Sequence, residues 1–244
     1  MSGILIYSKK EAERNAFAVK KFKEYLGVSL VLENEADLST PADFVINRTN
    51  NADIAQIFED RGIRVFNPAS LTRLANNKQK CYEFMQKNGI EILPVNQTEP
   101  PLIEKPANGK GGLGVRLIKS GKVEIKPGYV YQKPASDLGR DLRVWLIGGK
   151  IICAVLRESE TDFRSNYCLG GSARIYPLSE RERALVYKIS SLIKSDYIGI
   201  DFVFDGGRAV FNEIEDAVGA RMVYDKTDID ILRLYCEYIK KEMK

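Results

Sequence analysis

Short apolar runs separated by polar, helix-patterned stretches fill the first third of the chain. "ILIYS" reads as a strand, and Ser8 with Glu11 three residues on forms a capping box that opens a helix to about Leu26. "VSLVLE" and "DFVINR" follow as strands, and a helix from about Asn51 to Arg61 leads into the strand "IRVFN". Strands alternating with helices predict a small parallel sheet over residues 1–75. No glycine-rich loop follows its first strand, so this unit is not a self-sufficient dinucleotide binder. The stretch "NPASLTRLANNKQKCYEFMQKNGIEILP" predicts a helix or helix pair stopped by Gly89, with Pro94 beyond.

From about residue 102 the period changes to that of strands: "LIEKP", "GVRLIK", "YVYQK" and "LRVWLIGGKIICAVLRE". Turns at Gly121-Lys122 and Gly148-Gly149 predict antiparallel hairpins. Ser179 and Glu182 cap a helix with apolar Leu185, Ile189, Leu192 and Ile193. A hairpin of Ile200–Phe204 and Ala209–Ile214 turns at "DGG", and Thr227 with Asp230 opens the last helix. Boundaries are expected near 70–76 and 128–136, dividing the chain into units 1–75, 76–130 and 131–244. The fold class is α/β and α+β.

With 244 residues, 44% hydrophobic and 29% charged, the chain is long enough for two or three modest lobes. No stretch approaches a membrane-spanning helix, and "MSGILIYSKKEAER" does not resemble a signal peptide. Cys81, Cys153, Cys168 and Cys236 are scattered without C-x-x-C spacing, which predicts a reduced, cytoplasmic protein with neither disulfides nor a zinc knuckle. A net charge of +4 without a dense basic run argues against nucleic acid as a partner. The absence of histidine decides more. It excludes histidine-based nucleophile systems, histidine general bases and H-E-x-x-H metalloproteases, and leaves carboxylates, lysine, arginine, metal and backbone amides to carry any chemistry.

The final hairpin collects carboxylates at one end. Glu213 and Glu215, two apart on a strand, project from one face, and Asp201 lies across the hairpin. The cluster is either a strand-end cap or a site for a hard cation such as Mg²⁺, which takes oxygen ligands and substrate phosphates together. "EKPANGKGGLGVRLI" supplies a candidate phosphate cradle. Gly109, Gly111, Gly112 and Gly114 form a strand–glycine loop–strand unit, unlike the strand-to-helix turn of dinucleotide folds and without the G-K-[ST] of a P-loop. Glycines let backbone N–H groups close on an anion, although a plain hairpin tip also tolerates them. Lys105 precedes the loop and Lys78 starts a helix; both can reach phosphate or remain solvated. Arg143 and Asp141 enter a strand, and Arg157, Arg164 and Asn166, the candidate catalytic residues, lie near a loop, where arginine can clamp phosphate or carboxylate.

The order of Lys78, the Lys105–glycine-loop unit, "YVYQK", "GRDLRVWLIGGK", "DFRSNYCLGG", "GIDFVF" and "FNEIE" resembles ATP-grasp enzymes, and most of all the RimK-type carboxylate–amine ligases. The resemblance covers about residues 66–222. It implies a small N-terminal domain followed by a two-lobed ATP-grasp fold, with 76–130 and 131–244 as the lobes. It further implies that Lys78 and Lys105 contact nucleotide phosphates, that Gly109–Gly114 is the flap, and that Gln132 and Lys133 lie at the adenine-contacting hinge. Asp141 would contact nucleotide, Arg164 and Asn166 would order phosphate and substrate, and Asp201, Glu213 and Glu215 would hold metal. Two positions depart from the family: Gln132 stands where Glu is usual, and Glu215 where Asn is usual. "DAVGARM" also replaces the family's small-residue substrate loop.

The implied cofactors are ATP and Mg²⁺, as a pair of ions that Mn²⁺ can replace. The implied partners are an amino acid, peptide or protein supplying carboxylate and amine; neither nucleic acid nor membrane is expected, and homo-oligomerisation stays open. The implied reaction is amide formation through an acyl phosphate, with a nucleotide-binding module lacking turnover and an ATP-grasp kinase as alternatives.

Overall fold

The computed structural model describes residues 2–109, 111–165 and 171–244. Strands β1 (Gly3–Tyr7), β2 (Ser29–Leu32), β3 (Phe44–Asn47) and β4 (Arg64–Phe66) form a parallel sheet in the order β2-β1-β3-β4. Its helices are α1 (Lys9–Arg14), α2 (Ala16–Leu26) and α3 (Ala52–Asp60). Every residue of β1 is buried because both sheet faces are covered: Ile4 and Ile6 pack against Ile54 and Phe58 of α3, while Leu5 and Tyr7 pack with Val19 and Phe22 of α2. Ser8 caps α1 as its sequence predicts, but the single helix expected to Leu26 breaks at Asn15, whose amide folds back onto the Glu11 carbonyl at 2.8 Å.

Helices α4 (Ala69–Ala75) and α5 (Lys78–Lys87) are the helix pair that the sequence left open. They lead into an antiparallel sheet β6-β5-β7, built from β5 (Leu102–Pro106), β6 (Arg116–Ile118) and β7 (Tyr129–Gln132). All of β7 belongs to this sheet, so it straddles the boundary expected at residue 130.

The remaining strands are β8 (Arg140–Ile147), β9 (Lys150–Glu158), β10 (Ser172–Ile175), β11 (Tyr197–Asp205) and β12 (Arg208–Glu215), joined as an antiparallel sheet in the order β10-β9-β8-β11-β12. The β11–β12 turn requires left-handed backbone at both central positions, φ 55° at Gly206 and 73° at Gly207, which glycine adopts without a Cβ penalty. Helices α6 (Glu180–Ser191), α7 (Arg221–Lys226) and α8 (Ile231–Glu242) complete the described elements. The capping box of Ser179 and Glu182 is formed in full at α6. The last helix starts later than expected: Asp230 caps it by accepting the Arg233 amide at 3.0 Å, while Thr227 closes α7. No described helix is long and apolar enough to cross a membrane.

Alternation along β8 positions the site. Leu142, Val144 and Leu146 face a core shared with Tyr82, Met85, Val186 and Ile189 of α5 and α6. On the opposite face Trp145 and Ile147 join a second core with α2, α7, α8 and the parallel sheet, and further along that same face stand Arg143 and Asp141. Hydrophobic cover therefore stops where the charged groups start. The N-terminal unit and the large sheet share this second core.

Asn67 ties the two parts by hydrogen bonds as well. Its amide donates to the carbonyls of Tyr197 and Asp216, both at 2.8 Å, and its oxygen accepts the amides of Asp196 at 2.7 Å and Tyr197 at 3.1 Å. Since an unsatisfied buried polar group costs about 1–3 kcal/mol, Asn67→Ala is expected to lower unfolding stability by about 3 kcal/mol or more. Chemical denaturation of the two proteins checks this; equal midpoints would show that water replaces the amide without loss.

Candidate active site

The hairpin register pairs Asp201 with Glu213 and Gly199 with Glu215, so the three carboxylates share one face at the open end of the sheet. One oxygen from each lies within 4.8 Å of the others. A shift in the ladder between Asp201 and Phe202 opposes Asp201 to Glu213 but Phe202 to Phe211, leaving Asn212 as the extra residue of a bulge. That bulge lets Phe211 and Ile214, three apart, both enter the core while Asn212 is re-aimed at the site. Strict alternation places Asn212 on the other face, which is why sequence reasoning missed it. The spacing of Phe211 and Ile214 was the available signal.

Lys105, on β5, is 8% exposed and donates to Gln132 at 2.7 Å, Asn212 at 2.9 Å and the Tyr82 hydroxyl at 3.1 Å. All three acceptors are neutral. Burial pulls its pKa down to about 8, with Glu213 opposing and Lys78 adding to the fall. Lys78, in the first turn of α5, sits 3.2 Å from the Glu213 carboxylate and also donates to the Gly109 carbonyl. Helix, glycine loop and acid-bearing strand thus meet at one ammonium. Arg164 reaches the Gly112 carbonyl at 3.3 Å while Asp162 holds it through contacts of 3.0 and 2.7 Å. Gly111 and Gly114 have φ of 63° and 72° on either side of it. Asn166 lies outside the described residues.

On the large sheet, Asp201 is held between two guanidiniums. Arg143 binds it in a fork with both contacts at 2.6 Å and reaches Glu215 at 3.0 Å; Arg157 adds a 3.0 Å contact. Burial raises the Asp201 carboxyl, and these arginines outweigh it, leaving the group below the ordinary carboxylate value. Burial dominates at Glu215 and raises its carboxyl despite Arg143. Asp141, expected at nucleotide, is turned to Arg157, which binds its two oxygens at 2.5 and 2.8 Å. Arg157 in turn is directed at Asp141 and Asp201.

Gln132, at the end of β7, donates to the Leu93 carbonyl at 3.3 Å, and the Lys133 amide donates to Pro94 at 2.8 Å, which joins the small sheet to the 92–95 segment. The Lys133 ammonium points to the Glu99 carbonyl at 2.5 Å. Cys81 lies within electrostatic reach of Glu213 and Lys78, and burial pushes its thiol up to about 12, which favours the uncharged thiol.

The acids fit a hard cation: the donors are all carboxylate oxygens, clustered and facing lysines suited to phosphate. Glu213 and Glu215 would hold it most directly, because both Asp201 oxygens already accept from arginine.

A small antiparallel lobe with a glycine flap, set against a larger sheet bearing acids, defines the ATP-grasp class of fold. Residues 64–239 match the model of the RimK-like ATP-grasp domain, and the chain belongs to that family. It is 26% identical to the uncharacterized protein MG011 of Mycoplasma genitalium, with 99% of this chain and 93% of that one covered. It is 24% identical to a probable alpha-L-glutamate ligase of Vibrio vulnificus, over 78% of this chain and 72% of that one. The fold also matches the structure of the ATP-grasp ligase PsnB complexed with minimal precursor, Mg and ADP, with a TM-score of 0.73 at 15% identity, covering 99% and 97% of the two chains.

Two outcomes follow for Lys105. A charge-assisted contact to phosphate is worth about 1.5–3 kcal/mol, so Lys105→Ala should weaken ATP binding by roughly ten- to a hundredfold in calorimetry while the fold persists. A phosphate partner favours the ammonium and raises its pKa on binding. ATP affinity is therefore expected to be full below the free-protein value of about 8 and to decline as pH rises through it, by up to about tenfold per pH unit, with proton uptake. Calorimetry above pH 8 in buffers of different ionisation enthalpy measures that uptake; none would mean that Lys105 does not meet the anion.

Proposed function

We propose that the protein is an ATP-dependent carboxylate–amine ligase that forms an amide or peptide bond through an acyl phosphate. The observation that carries this reading is the meeting of Lys78, Glu213 and the Gly109 carbonyl, with Lys105 on the neighbouring strand and the acids Asp201 and Glu215 beside them. ATP is the phosphoryl donor. Lys78, Lys105 and the flap amides bind its phosphates, and Arg164 holds the flap by donating to the Gly112 carbonyl. Asp201, Glu213 and Glu215 would hold Mg²⁺, as a pair of ions or with Mn²⁺ instead, which neutralises phosphate charge during transfer. Arg143 and Arg157 are positioning residues in this scheme: they fix Asp201 and, through Arg143, Glu215.

In the first step a substrate carboxylate oxygen bonds to the γ-phosphorus as the bond to the ADP oxygen breaks. In the second an amine attacks the acyl carbon and phosphate leaves, while the departing phosphate or a carboxylate takes the amine proton. Neither step needs histidine; both rest on positioning and charge neutralisation. Support for an amino-acid or peptide substrate comes from the name of the Vibrio vulnificus relative and from the precursor in the PsnB complex.

Glu213→Gln is expected to keep the fold yet nearly abolish ADP formation, since Glu213 faces both Lys78 and the other acids. Glu215→Asn, which introduces the residue usual in the family, should retain substantial turnover. ADP release and mass analysis of products, with acid and amine added singly and together, measure both variants. Normal turnover by Glu213→Gln alongside an inert Glu215→Asn would remove the metal site from this hairpin, and ADP release that needs no amine would point to a kinase.

A further inference from the structure

The Lys105 ammonium has three N–H donors and no acceptor. Among the described residues three neutral acceptors take them: Gln132 at 2.7 Å, Asn212 at 2.9 Å and the Tyr82 hydroxyl at 3.1 Å. Donors and acceptors match in number. A phosphate oxygen can therefore join Lys105 only by replacing one of the three, and the cost of that replacement enters directly into nucleotide affinity.

Gln132 is fixed from two directions. Its amide nitrogen donates to the Leu93 carbonyl at 3.3 Å, which turns its oxygen to Lys105, and its backbone forms a bridge with Val95. Turning the amide over would set its oxygen against a carbonyl. Glu, the residue usual in the family here, would do so in either orientation, because both of its oxygens are acceptors. Tyr82 is fixed by packing. It is fully buried in the core that also holds Met85 and Phe211, so withdrawing its hydroxyl means opening that core.

Asn212 has neither restraint. It is the extra residue of the β12 bulge and half-buried, and among the described residues its side chain makes this one hydrogen bond. It also comes from the other sheet: Lys105 and Gln132 belong to the small sheet, and Asn212 reaches across from the large one. The two sheets do not need this contact to stay together. The 92–95 segment runs between them, with Ile92 bridged to Phe211 of β12 and Val95 to Gln132 of β7. Releasing Asn212 thus costs one hydrogen bond and leaves the docking of the sheets intact. Its neighbour Glu213 faces Lys78 at 3.2 Å, so Asn212 stands on the strand where acids and lysines gather.

Charge sets the direction of the exchange. A phosphate oxygen carries net negative charge where the asparagine oxygen carries only the end of a dipole, and a buried ammonium is poorly screened from either. Lys105 therefore gains when phosphate takes the donor, and the gain is reduced by what Asn212 had supplied.

We infer that Asn212 is a positioning residue that holds the donor of Lys105 which a nucleotide phosphate takes over, while Gln132 and Tyr82 keep the ammonium in place. The inference rests on the ATP site of the ligase reading and adds the residue that limits affinity there. Asn212 keeps the ammonium aimed until phosphate arrives, and then gives way.

The test uses the full-length protein and calorimetry at constant Mg²⁺. Asn212→Ala, and Asn212→Leu with its similar volume, should bind Mg-ATP about two- to tenfold more tightly than the wild type, the worth of one net hydrogen bond. Adenosine, which has no phosphate, should bind all three proteins alike. The gain should also require the lysine, so that Lys105→Met and the double variant Lys105→Met/Asn212→Ala bind Mg-ATP equally. Thermal unfolding gives a second reading: the midpoint of Asn212→Ala should fall below that of the wild type without nucleotide, and the gap should close at saturating Mg-ATP. Unchanged or weaker Mg-ATP binding by the Asn212 variants overturns the inference. An equal gain for adenosine does so too, as does a gain that survives in Lys105→Met. In each of these cases the ligase reading stands. A folded wild type that binds no Mg-ATP removes the ATP site and the role of Asn212 with it.

Discussion

The arrangement depends on one buried carboxylate, Asp201, held between Arg143 and Arg157. A lone ionised group at 2% exposure would be driven to its neutral form by desolvation, and two guanidiniums on adjacent strands prevent that. Each arginine is shared with a second acid, Glu215 or Asp141, so the charges form a chain across β9, β8, β11 and β12 rather than isolated pairs. Breaking such a chain leaves unpaired charge in a low-dielectric setting, which fixes the geometry more firmly than the pairs stabilise the fold. The result is a rigid acidic face beside lysines.

Those lysines come from elsewhere. Lys78 starts a helix packed beneath the large sheet, and Lys105 belongs to the small sheet, yet both approach the same strand. The bulge at Asn212 makes the second contact possible by giving β12 one more side chain on the site face. The lobes are therefore coupled through polar contacts that phosphate and a cation can exchange, while the apolar cores lie away from them. The polar contacts of the site thus lie outside the packing of the cores.

The N-terminal sheet contributes more than support. It shares a core with α8 and one face of the large sheet, and through Asn67 and Arg48 it holds the loop that follows the acidic strand. The end of the parallel sheet and the acidic strand are thereby held side by side by carbonyl contacts.

The sequence by itself determined the order of strands and helices, the parallel and antiparallel character of the sheets, and the glycine loop with its two lysines and three acids. These are local properties: side-chain period, capping residues and turn residues act within a few positions. Short-range signals also misled where two of them competed, as at Asn15 within a helical pattern and at Thr227 three residues before the true cap. Partnership was decided only in three dimensions. That Asp141 faces Arg157, that Asn212 meets Lys105, and that Arg48 reaches the Val218 carbonyl depend on strand register, a bulge and the docking of one sheet on another. Contacts across strands and between sheets leave no periodicity in the chain, because they arise from which faces pack together and not from spacing along it.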